Sequence, residues 1–202
     1  MRGRTPFAFG AILLAAAGAA AYQFVDAGGK PQRWPGGRAT VWVDGTMLPD
    51  RAAAVRNATQ TWSSVPGSAF RFVYGGPSPS ANVQDHGNGN SDLYFDPSLP
   101  PFGYAVTFAF ESGADIVERD VAFNGSIAWG TSGSGPHPDV ETVALHELGH
   151  VLGLLHEDAV PAVMNSGGDP SVVRRALLDD DRAGVVFLYP AGGGGGGGGG
   201  GP

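Results

Sequence analysis

An α+β domain is the fold class this sequence predicts, and three observations predict it. The chain has 202 residues, 42% of them apolar and 15% charged, which suits one globular domain with a real core plus tails and leaves little room for two. Five short segments carry the alternation or aromatic enrichment of strands, and three longer ones carry helical spacing. The densest chemistry, HELGHVLGLLH, puts three of the five histidines within residues 146 to 156.

The chain opens with MRGRTPFAFGAILLAAAGAAAYQF. Two arginines precede an apolar stretch from Phe7 to Ala21 that ends in small residues, the layout of a secretory signal peptide cleaved after Ala21. The stretch is shorter than the roughly 20 residues a membrane span needs. A retained anchor is therefore the weaker reading. Residues 1–21 are expected to be this leader, 22–190 the domain, and 191–202 a flexible polyglycine tail.

After a short polar lead-in, RATVWVDG (38–45) alternates as a half-buried strand does. LPDRAAAVRNATQTWSSV (48–65) is helical, with Pro49 and Asp50 where a helix start accepts proline and acid. AFRFVYGG (69–76) is a second strand, and the Gly, Asn, Ser and Pro of residues 75–92 make a loop. LYFD, GYAVTFAF and ERDVAFN complete the strands. A second Gly/Ser loop leads to Asp139, a plausible N-cap for a long helix with Glu141 in its first turn. Residues 157–171 form a loop, and VVRRALLDDDRAGVVFLYP (172–190) is helical until Pro190.

His146 and His150 are four apart, which on a helix means about 40° of rotation and about 6 Å of rise. Both rings leave one face and can share a metal. Glu147 lies about 100° round the helix, in reach of a water on that metal without being a ligand. His156 on a continuing helix would sit about 9 Å beyond His150 and on another face, whereas zinc needs each nitrogen at about 2.0–2.1 Å. The helix must therefore stop in between, and Gly153 supplies the residue that can take the left-handed conformation of a helix end. Three imidazoles leave a fourth position open, as catalytic zinc sites do. A chance match to HExxHxxGxxH in this composition is on the order of one in 10⁵, so packed or solvated histidines are a poor account of the pattern.

HELGHVLGLLH resembles the active-site signature of the metzincin metallopeptidases. AVMN places Met164 eight residues after His156, a spacing similar to the methionine turn of the matrixin branch. LLDDDRAGVVFLYP resembles the matrixin C-terminal helix at Asp180, Asp181, Gly184, Leu188 and Tyr189, which implies that Asp180 or Asp181 braces that turn. ADIVERDVAFN with SIAW resembles the edge-strand region of small bacterial matrixin-like enzymes, and KPQRWPGGRATVWVD the start of their domain. The likeness spans roughly residues 30 to 190. It implies a metzincin-type zincin domain: a twisted, mostly parallel sheet of about five strands, a long active-site helix and a C-terminal helix. It further implies one catalytic zinc on His146, His150 and His156, Glu147 as the catalytic base, Gly153, Met164, Asp180 and Asp181 as supports, and hydrolysis of a protein or peptide.

The chain departs from the family in three places. Asn165 and Ser166 follow Met164, so the tyrosine that astacin-like relatives carry two residues after the methionine is missing. Only His86 and His137 remain outside the signature, and a second, structural zinc is not expected. The absence of cysteine excludes the propeptide thiol of classical matrixins as well as disulfides and thiolate metal sites. The chain is then either active once exported or restrained by other means. DHGNGNSD (85–92) has spacing that would suit calcium, with a polar turn the stronger reading.

The net charge of −7 and pI near 5.0 come without any basic run, which argues against nucleic acid and anionic membranes as partners. The expected product is a secreted, extracellular monomer with no stable membrane association once the leader is removed. The competing reading is a secreted zinc-binding or adhesion module that no longer turns over.

Overall fold

Burial alternates along β1 (Arg38–Val43), with Ala39, Val41 and Val43 inward, and this strand starts the sheet on which the site is built. A computed structural model of the chain describes residues 21–100, 103–167, 169 and 172–192. The leader expected over 1–21 lies outside the described residues except for Ala21, and the tail expected over 191–202 lies outside them beyond Gly192. Helix α1 (Pro49–Ser63) follows β1 with Pro49 and Asp50 in its first turn. Strands β2 (Arg71–Pro77), β3 (Ser91–Asp96), β4 (Ala105–Ser112) and β5 (Asp115–Asn124) come next. Helices α2 (Val140–Leu152) and α3 (Asp179–Leu188) close the domain.

The strand order is β2-β1-β3-β5-β4, parallel throughout except that β4 runs antiparallel to β5. The sheet is therefore mostly parallel, as the family likeness implies. The GYAVTFAF strand forms its edge; ERDVAFN lies inside, between β3 and β4. Being interior, β5 is buried on both faces, and its Glu118, Arg119 and Asp120 are buried with it. Burial of charge is tolerable only with partners. Glu118 accepts from the amides of Gly87 and Gly89, Arg119 pairs with Glu111, and Asp120 accepts from Asp92 N.

Those Gly87 and Gly89 contacts also settle how the loop at 85–92 is used. Its inward groups are N–H donors aimed at a carboxylate, the reverse of the oxygen shell a calcium ion requires. Asn82 and Asn88 bond back onto Asp85 within the loop. The segment is a polar turn and does not support calcium.

Helices α1 and α2 pack together over one face of the sheet. Trp62 of α1 is fully buried and donates its indole N–H to Leu145 O of α2 at 2.8 Å, so the large ring is both packed and satisfied. The core around it gathers Val41, Leu93, Phe123, Leu145, Leu148 and Met164.

Helix α2 starts at Asp139, whose Oδ2 accepts from Thr142 N at 3.0 Å. Arg175 approaches the same carboxylate from across the chain at 2.6 and 3.0 Å. Burial raises the Asp139 pKa, but the bonds from Arg175 and Thr142 outweigh it and hold the group below its ordinary value. Asp139→Ala is expected to cost about 2–4 kcal/mol, the sum of a lost cap and lost charged hydrogen bonds. Because the folded pKa is the lower one, the stabilisation is complete above the unfolded value of about 3.9 and fades as pH falls through the folded one. Urea titrations of wild type and variant at neutral pH and near pH 3 check this: the gap should be full at the first and smaller at the second.

The helical pattern over 172–190 is shorter in the structure than the sequence suggests, since α3 begins only at Asp179. Residues 172–178 are spent on tertiary contacts instead. Arg174 N donates to Thr142 Oγ1, Arg175 binds Asp139, Leu177 is buried, and Leu178 N donates to Asp181. Side-chain anchors at the start of α2 hold this stretch out of helix, overriding its propensity.

Candidate metal centre

The last turn of α2 shows how the histidines are brought together. Gly153 has φ +119°, and Gly153 N and Leu154 N donate to His150 O and Gly149 O at 3.0 and 2.9 Å. This is the Schellman arrangement, which closes two orphan carbonyls and turns the chain. A Cβ at Gly153 would stand 3.1 Å from Gln32 O, a tight contact, and the positive φ strains any residue with a side chain there. Leu155 N then bonds to Gln23 O, and the next residue, His156, returns to the helix face.

His156 Nε2 lies 3.2 Å from His146 Nε2 and 3.1 Å from His150 Nε2. The opposite ring nitrogens are tied down: His146 Nδ1 to Val163 O at 2.8 Å and His150 Nδ1 to Leu154 O at 2.9 Å. A carbonyl can only accept, so each Nδ1 carries the proton and each Nε2 presents a lone pair. Lone pairs this close repel unless a cation lies among them. Tetrahedral ligands at 2.0–2.1 Å from one centre are about 3.3 Å apart, near the separations seen. Burial, then the neighbouring His146, holds the His150 ring well below the usual histidine range, and the same two causes lower His156. Neutral rings are the ligating form. Among the described residues this is the one group of three ligand-type side chains whose donor atoms lie within 4.8 Å of one another. The residues fit a zinc ion.

Glu147 is 7% exposed and lines a cavity of about 410 Å³ with His146, His156, Tyr104, Thr142 and Val163. Burial pushes its carboxyl above the ordinary range, opposed by His146 and by a hydrogen bond from Thr107. Asn165, Ser166, Gly167 and Asp169 also line the cavity. They lie within the segment after the methionine.

Met164 is buried, 2% exposed. Asp181 braces its turn: Oδ2 accepts from Val163 N at 2.8 Å and Oδ1 from Met164 N at 3.2 Å. Asp180 is turned elsewhere and accepts from Ala21 N at 3.1 Å. Of the two acids left open by the sequence, the geometry places Asp181 at the turn. The methionine sulfur presses on Gly149, where a Cβ would come within 2.2 Å of Sδ. Gly149 is thus a requirement that the spacing alone does not reveal. Its one outward sign is a glycine in a helix interior, which costs about 1 kcal/mol against alanine and asks for a packing reason.

Three further residues escaped the sequence reading as parts of the site. The final carbonyls of α2 are each taken by a side chain from a different part of the chain. His150 O accepts from Arg119 Nη1 at 2.6 Å, Val151 O from Trp34 Nε1 at 2.7 Å, and Leu152 O from Tyr189 OH at 2.7 Å. Tyr189 OH in turn accepts from Trp34 N. Helix ends buried without such partners are costly, and the cation of Arg119 also suits the negative end of the helix dipole.

The matrixin family model matches residues 46–190, most of the chain. Among curated proteins the chain is similar to karilysin of Tannerella forsythia, 29% identical over 116 residues. That alignment covers 57% of this chain but only 24% of karilysin, so the chain spans about a quarter of that relative's length. With the five-stranded sheet, the histidine triad and the methionine turn in place, the chain belongs to the matrixin family of zinc metallopeptidases.

Proposed function

We propose that the protein is an endopeptidase that hydrolyses peptide bonds, with Glu147 as general base. The observation that carries this reading is the convergence of the three Nε2 atoms beside a cavity that Glu147 also lines. His146, His150 and His156 would hold the zinc ion, whose chemistry is to acidify a water and polarise a carbonyl. Glu147 takes a proton from the attacking water and delivers it to the leaving amine nitrogen. The exposed edge of β4 offers backbone groups to an extended substrate, which would add as a further strand. Asn165, Ser166, Gly167 and Asp169 wall the space for the side chain after the cleaved bond.

One chain supplies all three ligands and the base, so a monomer suffices. The apolar leader supports export, and among the described residues no helix is long and apolar enough to cross a membrane. Casein or gelatin incubated with purified protein is expected to be cut. Chelator dialysis should abolish cutting, and one equivalent of zinc should restore it. A zinc-loaded protein that cleaves nothing across a peptide library overturns the reading in favour of a binding module.

A further inference from the structure

Thr107 of β4 donates its hydroxyl to Glu147 Oε2 at 2.6 Å. Residues two apart on a strand share a face, so Thr107 points the same way as Ala105, which lines the cavity. The alternate residues Phe108 and Phe110 pack on His86. Thr107 itself is not among the lining residues. Glu147 therefore has one oxygen held by β4 while the residue itself still lines the cavity.

We infer that Thr107 is a positioning residue that fixes the rotation of the Glu147 carboxylate, so that Oε1 alone is presented to the attacking water. This deepens the hydrolytic reading above and rests on it. A carboxylate has two equivalent oxygens and a soft terminal torsion. Held at neither, it would sample orientations of which only some face the water. The bond from Thr107 removes that freedom before substrate arrives, and preorganised groups cost no reorganisation at the moment of reaction. Because Thr107 belongs to the edge strand on which substrate is proposed to lie, docking and base orientation share one element.

The test is a set of steady-state measurements on Thr107→Val, Thr107→Ala and Thr107→Ser with zinc content and thermal midpoint recorded for each. Valine keeps the branched shape and removes only the donor. Val and Ala variants are expected to lose kcat about 10- to 100-fold, the usual effect of removing a partner that orients an active group, with KM and zinc content unchanged. Serine should restore most of the rate. A valine variant within twofold of wild-type kcat overturns the inference. So does a loss matched by lost zinc, or a serine variant as slow as valine. Glu147→Gln is run alongside. If it stays active, the general-base reading fails; if it is inactive while Thr107→Val is fully active, only the positioning role fails.

Discussion

Glu147→Gln is expected to yield a folded protein with one zinc per chain and cleavage lowered by about 10²- to 10⁴-fold, the range for losing a positioned base. Glutamine fills the same buried space, and its carbonyl oxygen still accepts from Thr107, so packing and orientation survive. What disappears is the capacity to accept a proton. Zinc should stay because Glu147 is not one of the three converging ligands. Replacing a carboxylate whose burial disfavours its charge should leave the thermal midpoint unchanged or higher, in line with the tension between stability and activity at working sites. Metal analysis, a melting curve and a fluorogenic peptide assay on one preparation are sufficient. Cleavage within tenfold of wild type would rule out the assigned role.

Gly153→Val should fail differently, by losing the metal. The site demands φ +119°, and an added Cβ would stand 3.1 Å from Gln32 O and 3.4 and 3.5 Å from the Leu188 and Ile116 side chains. Left-handed backbone costs a branched residue about 1–2 kcal/mol or more, and overpacking typically adds about 1–3 kcal/mol. The turn that returns His156 to the helix face must shift to relieve this. Zinc ligands tolerate only about 0.2 Å of misplacement. Zinc affinity is therefore expected to fall more than 100-fold, with activity falling in parallel and partly recovering in excess zinc. Gly153→Ala, smaller but equally constrained in φ, should lie between. Competition with a chromogenic chelator measures the affinities. Full occupancy and activity in the valine variant would show that the helix end is not what positions His156.

Much of this was legible in the sequence for local reasons. Alternation in RATVWVDG and the aromatic run of GYAVTFAF are properties of single segments, and both segments form strands. Asp139 and Gly153 lie where local rules put a cap and a stop, and α2 runs between them. Residues 172–178 misled because their helical spacing is local while their anchors at the start of α2, Thr142 and Asp139, are not. The same distinction explains Thr107 and Arg119. Each contacts the α2 site from another element, Thr107 through Glu147 and Arg119 through His150 O, and no spacing within a segment encodes a contact between segments. Gly149 sits between these cases, for its place in the helix was visible but the sulfur that claims the space came from Met164.

The closure of α2 by Trp34, Arg119 and Tyr189 has a consequence for the order of synthesis. His146, His150 and His156 are synthesised before Asp181 and Tyr189. Until those residues arrive, the methionine turn lacks its brace and Leu152 O lacks its donor. A chain that stops short of Asp181 therefore carries all three histidines and Glu147 without the framework that aligns them. Alignment of the histidine triad is thereby tied to the arrival of the final helix.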